Sequence, residues 1–464
     1  MSKPSRLRSL LALGWVAFMF GYAAWWGGFP RQDALLWIGV AVLVGIYVGF
    51  GFIAWWLFLS PTSSPDSGVS SERDLIIQRA IGSLVLVGGM ALVTGGAWDE
   101  VWHRRYGLGA VVKDFFWPPH ILIYASLTII ALCAVFGVGL LANRAGGIRE
   151  RFRRSPLLGI LALVSTAQVV ALPADAFWHK LYGLDLSAWS LPHLVVVLNF
   201  GLLMSVATLL LAGVPPRTGW RGWRGIRANE IAGLFAMAFG AMEFIQIGIA
   251  EWDAIFKVGQ GSEDFFRQVF WRRPEWLYPV VLITLALFWA VLIQRLVRRT
   301  GAATLVGLLV IVLRFATVTG LGGWQAHLGL LAHLLCFPIF LGLDIWQARV
   351  VRDSDNAWLK TLGYLLTAGI FLAIALPVIG QWMVYPRINE FTVPRMIFFG
   401  LLVAPIVGWT ADTIGQMLTG PSAAADQPRL AERPAKTWTA VSFGGLAGTF
   451  AIVSLMVLLA KAPI

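Results

Sequence analysis

Charge is what this chain has least of. Of its 464 residues only 13% are Asp, Glu, Lys or Arg, about half the share usual in a water-soluble globular chain. With 58% hydrophobic residues and a mean hydropathy of +0.75, it has too little polar surface to cover a folded core in water. Cysteine is also scarce. Cys133 and Cys336 each lie in an apolar run, which excludes a disulfide framework and a CxxC redox or metal motif, so both read as buried thiols. No Walker or Rossmann glycine pattern stands between a strand and a helix, so nothing points to a nucleotide cofactor.

What is present in abundance is apolar length. A bilayer core about 30 Å thick takes roughly 20 apolar residues per helix. About thirteen such runs occur, near 10–28, 35–59, 77–97, 119–143, 156–173, 191–214, 228–250, 277–297, 303–322, 325–347, 359–385, 396–418 and 439–461. The expected fold is therefore an all-α polytopic membrane protein, with residues 1–464 as a single helical domain. The first run follows a basic start and lacks a small-residue cleavage site, which reads as a retained signal anchor.

The net charge of +12 does not point to nucleic acid. Arg and Lys gather in the connections at 144–154, 217–227, 295–299, 349–360 and 429–436. With the N-terminus inside and thirteen spans, all five fall on the cytoplasmic side, as positive-inside sorting requires, and the C-terminus falls outside. The expected location is the cytoplasmic (inner) membrane, with the lipid bilayer as first partner. The segments 60–76 and 419–438, rich in Pro, Ser and Ala, read as cytoplasmic linkers.

Three connections on the opposite, periplasmic side can be laid over one another, which makes 77–143, 156–214 and 228–297 candidate repeat hairpins. The first carries Asp99, Trp102, His103 and Tyr106-Gly107-Leu108, then Pro119-His120. The second carries Asp175, Trp178, His179 and Tyr182-Gly183-Leu184, then Pro192-His193. The third is degenerate, with Asp253, Lys257 and Pro274-Glu275. Residues i and i+4 share a helix face, so Asp99 lines up with His103 and Asp175 with His179. A proline suits the first turn of the returning helix and brings His120 or His193 back towards the same point.

One carboxylate and two imidazoles make a recurring metal set with open positions, suited to copper and also to iron or zinc. Of six histidines in the chain, four belong to these two hairpins. The plainer alternative is a hydrogen-bonded corner in which Asp caps or pairs with its His. The Trp and Tyr residues alone read as an interfacial aromatic belt. In the third hairpin, Asp253, Lys257 and Glu275 would form a salt-bridged copy without metal.

Other ionisable residues fall inside apolar runs. His327 and His333 are six apart and so lie on different faces of one helix. Each suits either a haem iron or a satisfied polar position in the bundle. Glu243, Arg314 and Asp412 read as an intramembrane ion pair or as a proton or substrate path.

The D-x-x-W-H start with a second His beyond it resembles the metal-binding segment of a membrane subunit of the copper membrane monooxygenases, the particulate methane and ammonia monooxygenases. Asp175, His179 and His193 match that family's D-x3-H-x12–13-H pattern; Asp99, His103 and His120 match its start with a longer gap. The resemblance implies copper held near the outer membrane face by an Asp and two His, and oxidation of a small apolar substrate by dioxygen. It also implies other membrane proteins or an electron donor as partners. The chain differs from that family in its number of spans and in carrying the motif twice. The competing readings are a transporter or channel whose Asp/His sites bind a cation or relay protons, a haem-carrying electron-transfer protein, and a structural component of a membrane complex. No residue is assigned a catalytic role.

Overall fold

The computed structural model describes residues 14, 17, 18, 20–22, 24, 25, 32–54, 56, 57, 72–106, 118–143, 145–182, 189–216, 219–249, 273–322, 330–352, 354, 356–383, 385–419 and 432–459. Its architecture is all-helical. In chain order the helices are α1 (Ala34–Ala54), α2 (Glu72–Tyr106), α3 (Pro118–Ala142), the short α4 (Ile148–Arg154), α5 (Pro156–Tyr182), α6 (Leu191–Ala212) and α7 (Ala228–Ile249). They continue with α8 (Leu277–Val297), α9 (Ala302–Gly322), α10 (Leu330–Trp346), α11 (Ala357–Trp382), α12 (Val393–Leu418) and α13 (Glu432–Leu459).

Among the described residues, eleven helices are long and apolar enough to cross a membrane. Together they define an integral, polytopic membrane protein. Two of the thirteen expected runs are not among the eleven. The run at 10–28 lies mostly outside the described residues, and the run at 156–173 falls in α5, where the qualifying apolar stretch is Pro156–Val169.

Helix α2 has 35 residues, about 52 Å at 1.5 Å per residue, and so outruns a hydrocarbon layer at both ends. It already begins at Glu72, inside the segment expected to be the linker 60–76, and α13 begins at Glu432, inside 419–438. Charged residues there extend the helices past the apolar layer. Apart from Thr419, the rest of both segments lies outside the described residues.

Helices α6, α7 and α8 form the centre: 78–83% of their membrane-length windows is buried within the protein, against 12% for α1 and 17% for α13. The rim helices turn Phe52, Phe450 and Leu458 outward, where lipid is the natural solvent. In the centre, small residues let helices approach closely. A Cβ on Gly240 of α7 would stand 2.3 Å from the ring of Trp289 on α8. Trp289 is fully buried and meets Phe244 edge-on at 5.2 Å.

The bundle has two chemically distinct ends. At one, basic connections meet. Arg221 pairs its backbone with Arg298 and Thr300, Trp220 donates to the Arg352 carbonyl at 3.1 Å, and Arg295 reaches Asp412. Glu230, at the start of α7, is shared by Arg299 at 2.7 Å and Arg227 at 3.0 Å. At the other end stand Asp99, His120, Trp189 and Arg273. Arg273 lies 4.0 Å above the Trp189 ring, and the Tyr385 hydroxyl donates to its carbonyl. Of the five basic connections, 217–227, 295–299 and 349–360 thus meet in space.

Candidate functional site

The first hairpin is α2 and α3, packed along each other. Trp98 and Trp102 are buried on α2 with their rings edge-on at 5.8 Å, against Leu122 of α3 and Val453 of α13. These tryptophans are core, and their packing fixes the rotation of α2. Asp99 is therefore turned towards α3, at the limit of the apolar span Leu75–Asp99. Pro118 and Pro119 open α3, so His120 stands in its first turn, as the sequence predicts.

The hairpin closes on these two residues. His120 Nε2 lies 3.2 Å from Asp99 Oδ1, with both side chains about three-quarters buried. His120 also stands beside Tyr124, one turn on, at 5.9 Å between ring centres. The separation fits an imidazole–carboxylate pair. It also fits two ligands of one ion, because bonds of about 2.1 Å at tetrahedral or square angles set neighbouring donor atoms roughly 3.0–3.4 Å apart. His103 follows Asp99 by one turn of α2; its side chain lies outside the described residues. Among the described residues, no three His, Cys, Asp or Glu side chains converge on one point.

The second hairpin is α5 and α6. Asp175 and His179 lie on the helical backbone of α5, with side chains outside the described residues. Ser190 caps α6, its hydroxyl accepting the His193 backbone N–H at 3.2 Å, which sets His193 in the first turn. Trp189, just before the cap, is buried and donates its indole N–H to the Ile247 carbonyl at 3.3 Å.

In the third hairpin Asp253 and Lys257 lie outside the described residues. Glu275 precedes α8 and lies 3.9 Å from the exposed Arg387, a weak surface contact. Its neighbour Arg273 is buried, and burial lowers its pKa from the usual arginine value to about 9. The Trp189 face beneath it offsets part of that desolvation. The third hairpin is thus locked onto the second by a cation over an aromatic ring.

Below the first hairpin Glu243, Gln246 and Arg314 are buried near one another. Arg314 of α9 donates to Gln246 Oε1 of α7 at 3.1 Å. Glu243 sits one turn from Gln246, and its carboxylate lies against Gly96 of α2, where a Cβ would be 3.5 Å from Oε1. Gly96 is itself one turn from Asp99. The side chains of Glu243, Gln246 and Arg314 are therefore stacked within the bundle beneath the Asp99–His120 contact.

Asp412 does not join this group. It bonds Arg295 and Gln416 Nε2 (2.8 Å) at the basic end. Glu243 is 15 residues along α7 from that end and Asp412 only six along α12, so they stand about 13 Å apart in depth at 1.5 Å per residue. His333 is buried on α10, and His327 lies outside the described residues. Sequence reasoning missed Gln246, Ser190 and the shared role of Glu230. Gln and Ser carry no charge or metal-ligand signal, and Ser190 could have been found as a cap before Pro192.

Fold and site together define a class: a two-ended, all-helical integral membrane protein with a carboxylate–imidazole contact at the mouth of one hairpin and ionisable groups stacked beneath it. No family model, curated protein or solved structure matches the chain.

Proposed function

We propose that this chain is an integral membrane metalloprotein that holds copper at the α2–α3 hairpin, with Asp99, His103 and His120 as ligands. The second hairpin offers the same set in Asp175, His179 and His193. The single observation that carries the reading is the 3.2 Å contact between Asp99 and His120, which joins the two halves of the motif across the hairpin. Bound copper with an open position supplies dioxygen chemistry, and the activity we assign is O2-dependent oxidation of a small apolar substrate. The chain's own part is to hold the donors, to exclude water with buried Trp98 and Trp102, and to collect substrate from the lipid. We place the bundle in the cytoplasmic membrane with thirteen spans, the basic end inside and the hairpins on the periplasmic side.

The test is elemental analysis of the purified protein with electron paramagnetic resonance of its oxidised form. Copper that His103→Ala, His179→Ala and His120→Ala remove in part or whole supports the reading. A folded wild type that binds no metal ends it.

A second reading has its own observation. Glu243 lies against Gly96 of α2, one turn below Asp99 and near the Arg314–Gln246 hydrogen bond, an intramembrane placement that suits a proton or cation relay. On this reading the protein is a transporter, and ion uptake by proteoliposomes is the measurement. Wild-type vesicles no more permeable than empty ones exclude it.

A further inference from the structure

The basic end of the bundle holds an open pocket that neither reading uses. Its volume is about 500 Å3, within the roughly 300–1,000 Å3 of small-molecule sites. Arg221, Arg224 and Arg227 line it from the connection between α6 and α7, Arg299 from just after α8, and Glu230 from the first turn of α7. Among the described residues, Glu230 is the one carboxylate that any of these four arginines pairs with. Both its oxygens are already taken, Oε2 by Arg299 at 2.7 Å and Oε1 by Arg227 at 3.0 Å. Four cations against one carboxylate leave a formal charge of +3 around the opening.

These arginines keep donors free. Arg224 is exposed, and among the described residues it makes no hydrogen bond or ion pair. Arg221 gives Nη2 to the Val297 carbonyl at 3.0 Å and stands 3.7 Å from Glu230 through Nη1, while its Nε is buried without a hydrogen-bond partner. A buried donor of this kind costs free energy until an acceptor reaches it. Burial holds the Arg221 guanidinium below the usual arginine pKa; Glu230 offsets this in part, and Arg299 and Arg227 push the same way as burial. The segment that carries these groups is fastened to the end of α8. Arg221 donates its N–H to the Arg298 carbonyl and accepts from the Thr300 N–H, both at 3.1 Å. Trp223 Nε1 donates to the Thr300 carbonyl at 2.8 Å, and Arg299 donates to the Gly222 carbonyl. Gly222 and Gly225 keep the pocket clear, since a Cβ on either would meet nothing within 4 Å.

We propose that this pocket binds the phosphate group of a small water-soluble ligand. Guanidinium forks match phosphate oxygens in pairs, and a dianion takes up the free donors while it offsets the surplus charge. The position favours a soluble source. The pocket sits at the ends of α6, α7 and α8, the most buried helices, and not on the lipid-facing α1 or α13. The phosphodiester of an anionic lipid offers the same chemistry and is the alternative source.

The full chain, purified in an uncharged, phosphate-free detergent, separates the sources. It is titrated calorimetrically with inorganic phosphate, with phosphatidylglycerol in the same micelles, and with chloride at matched ionic strength. Saturable binding of inorganic phosphate that chloride does not reproduce is the expected result. Binding of phosphatidylglycerol alone gives the pocket to a lipid headgroup and overturns the soluble source. Arg224→Gln is expected to weaken phosphate binding about tenfold, the loss of one charge-assisted contact. Its unfolding midpoint should stay near wild type, because the side chain pairs with nothing else among the described residues. Gly222→Leu keeps every charge and puts a side chain into the opening, and it should also weaken binding. Weakening in either variant places the phosphate in this pocket. The proposal is overturned if the wild type binds phosphate no better than chloride, or if both variants bind it as the wild type does.

Discussion

Replacing Glu230 by glutamine removes a negative charge that three arginines share. Glu230 is 5% exposed, and its Oε2 takes Arg299 Nη2 at 2.7 Å and Nε at 2.9 Å; Arg299 is itself 4% exposed. The other two partners are far wetter. Arg227, at 3.0 Å, is 48% exposed, and Arg221, at 3.7 Å, is 33% exposed. Exposed pairs are worth about 0.5 kcal/mol each. Leaving a buried guanidinium without its counter-ion costs about 3–5 kcal/mol, and the glutamine carbonyl keeps one acceptor, so the expected loss is about 3 kcal/mol. Arg227→Gln, by contrast, should cost under about 1 kcal/mol. The assay is equilibrium unfolding in mixed detergent micelles, with the two variants side by side. Equal effects, or a Glu230→Gln loss below about 0.5 kcal/mol, would refute the claim that burial of the Arg299 pair sets the scale.

Gly240→Ala should destabilise the bundle by about 1–3 kcal/mol, because its Cβ would overlap the buried Trp289 ring. The same unfolding assay reads it, and a neutral result contradicts the close approach of α7 and α8. If the second functional reading holds, Glu243→Gln should slow ion uptake by proteoliposomes at least tenfold while leaving the unfolding midpoint near wild type. Unchanged uptake takes Glu243 out of the path.

Much of the architecture was legible because the bilayer imposes it. A helix must carry enough apolar length to cross, so spans such as 228–250 and 277–297 stand out and reappear as α7 and α8. The first hairpin was legible for a local reason. Pro118 and Pro119 start the returning helix and set His120 in its first turn, opposite the end of α2, where it meets Asp99. What stayed hidden depends on which helix neighbours which. Nothing in the sequence says that Asp412 pairs with Arg295 and not with Arg314, since three ionisable residues in three apolar runs give no depth relative to one another. Gln246 as the acceptor for Arg314 was equally hidden, because an amide carries no charge pattern. The starts of α2 and α13 read as linkers because they adjoin Pro-, Ser- and Ala-rich stretches and lie outside the apolar runs, yet both helices begin before those runs do. Arg352 was hidden for a third reason: an arginine in a glycine-like conformation has no sequence signature.

The central claim is that the α2–α3 hairpin is a metal site, and copper content per chain tests it most directly. Elemental analysis is made on wild type, Asp99→Asn and His120→Ala, each shown folded by its unfolding midpoint. A metal site there predicts one to two copper ions per wild-type chain, a cupric resonance with imidazole nitrogen coupling, and loss of at least one ion in either variant. A folded wild type without copper, or variants that keep the full wild-type content, would contradict it.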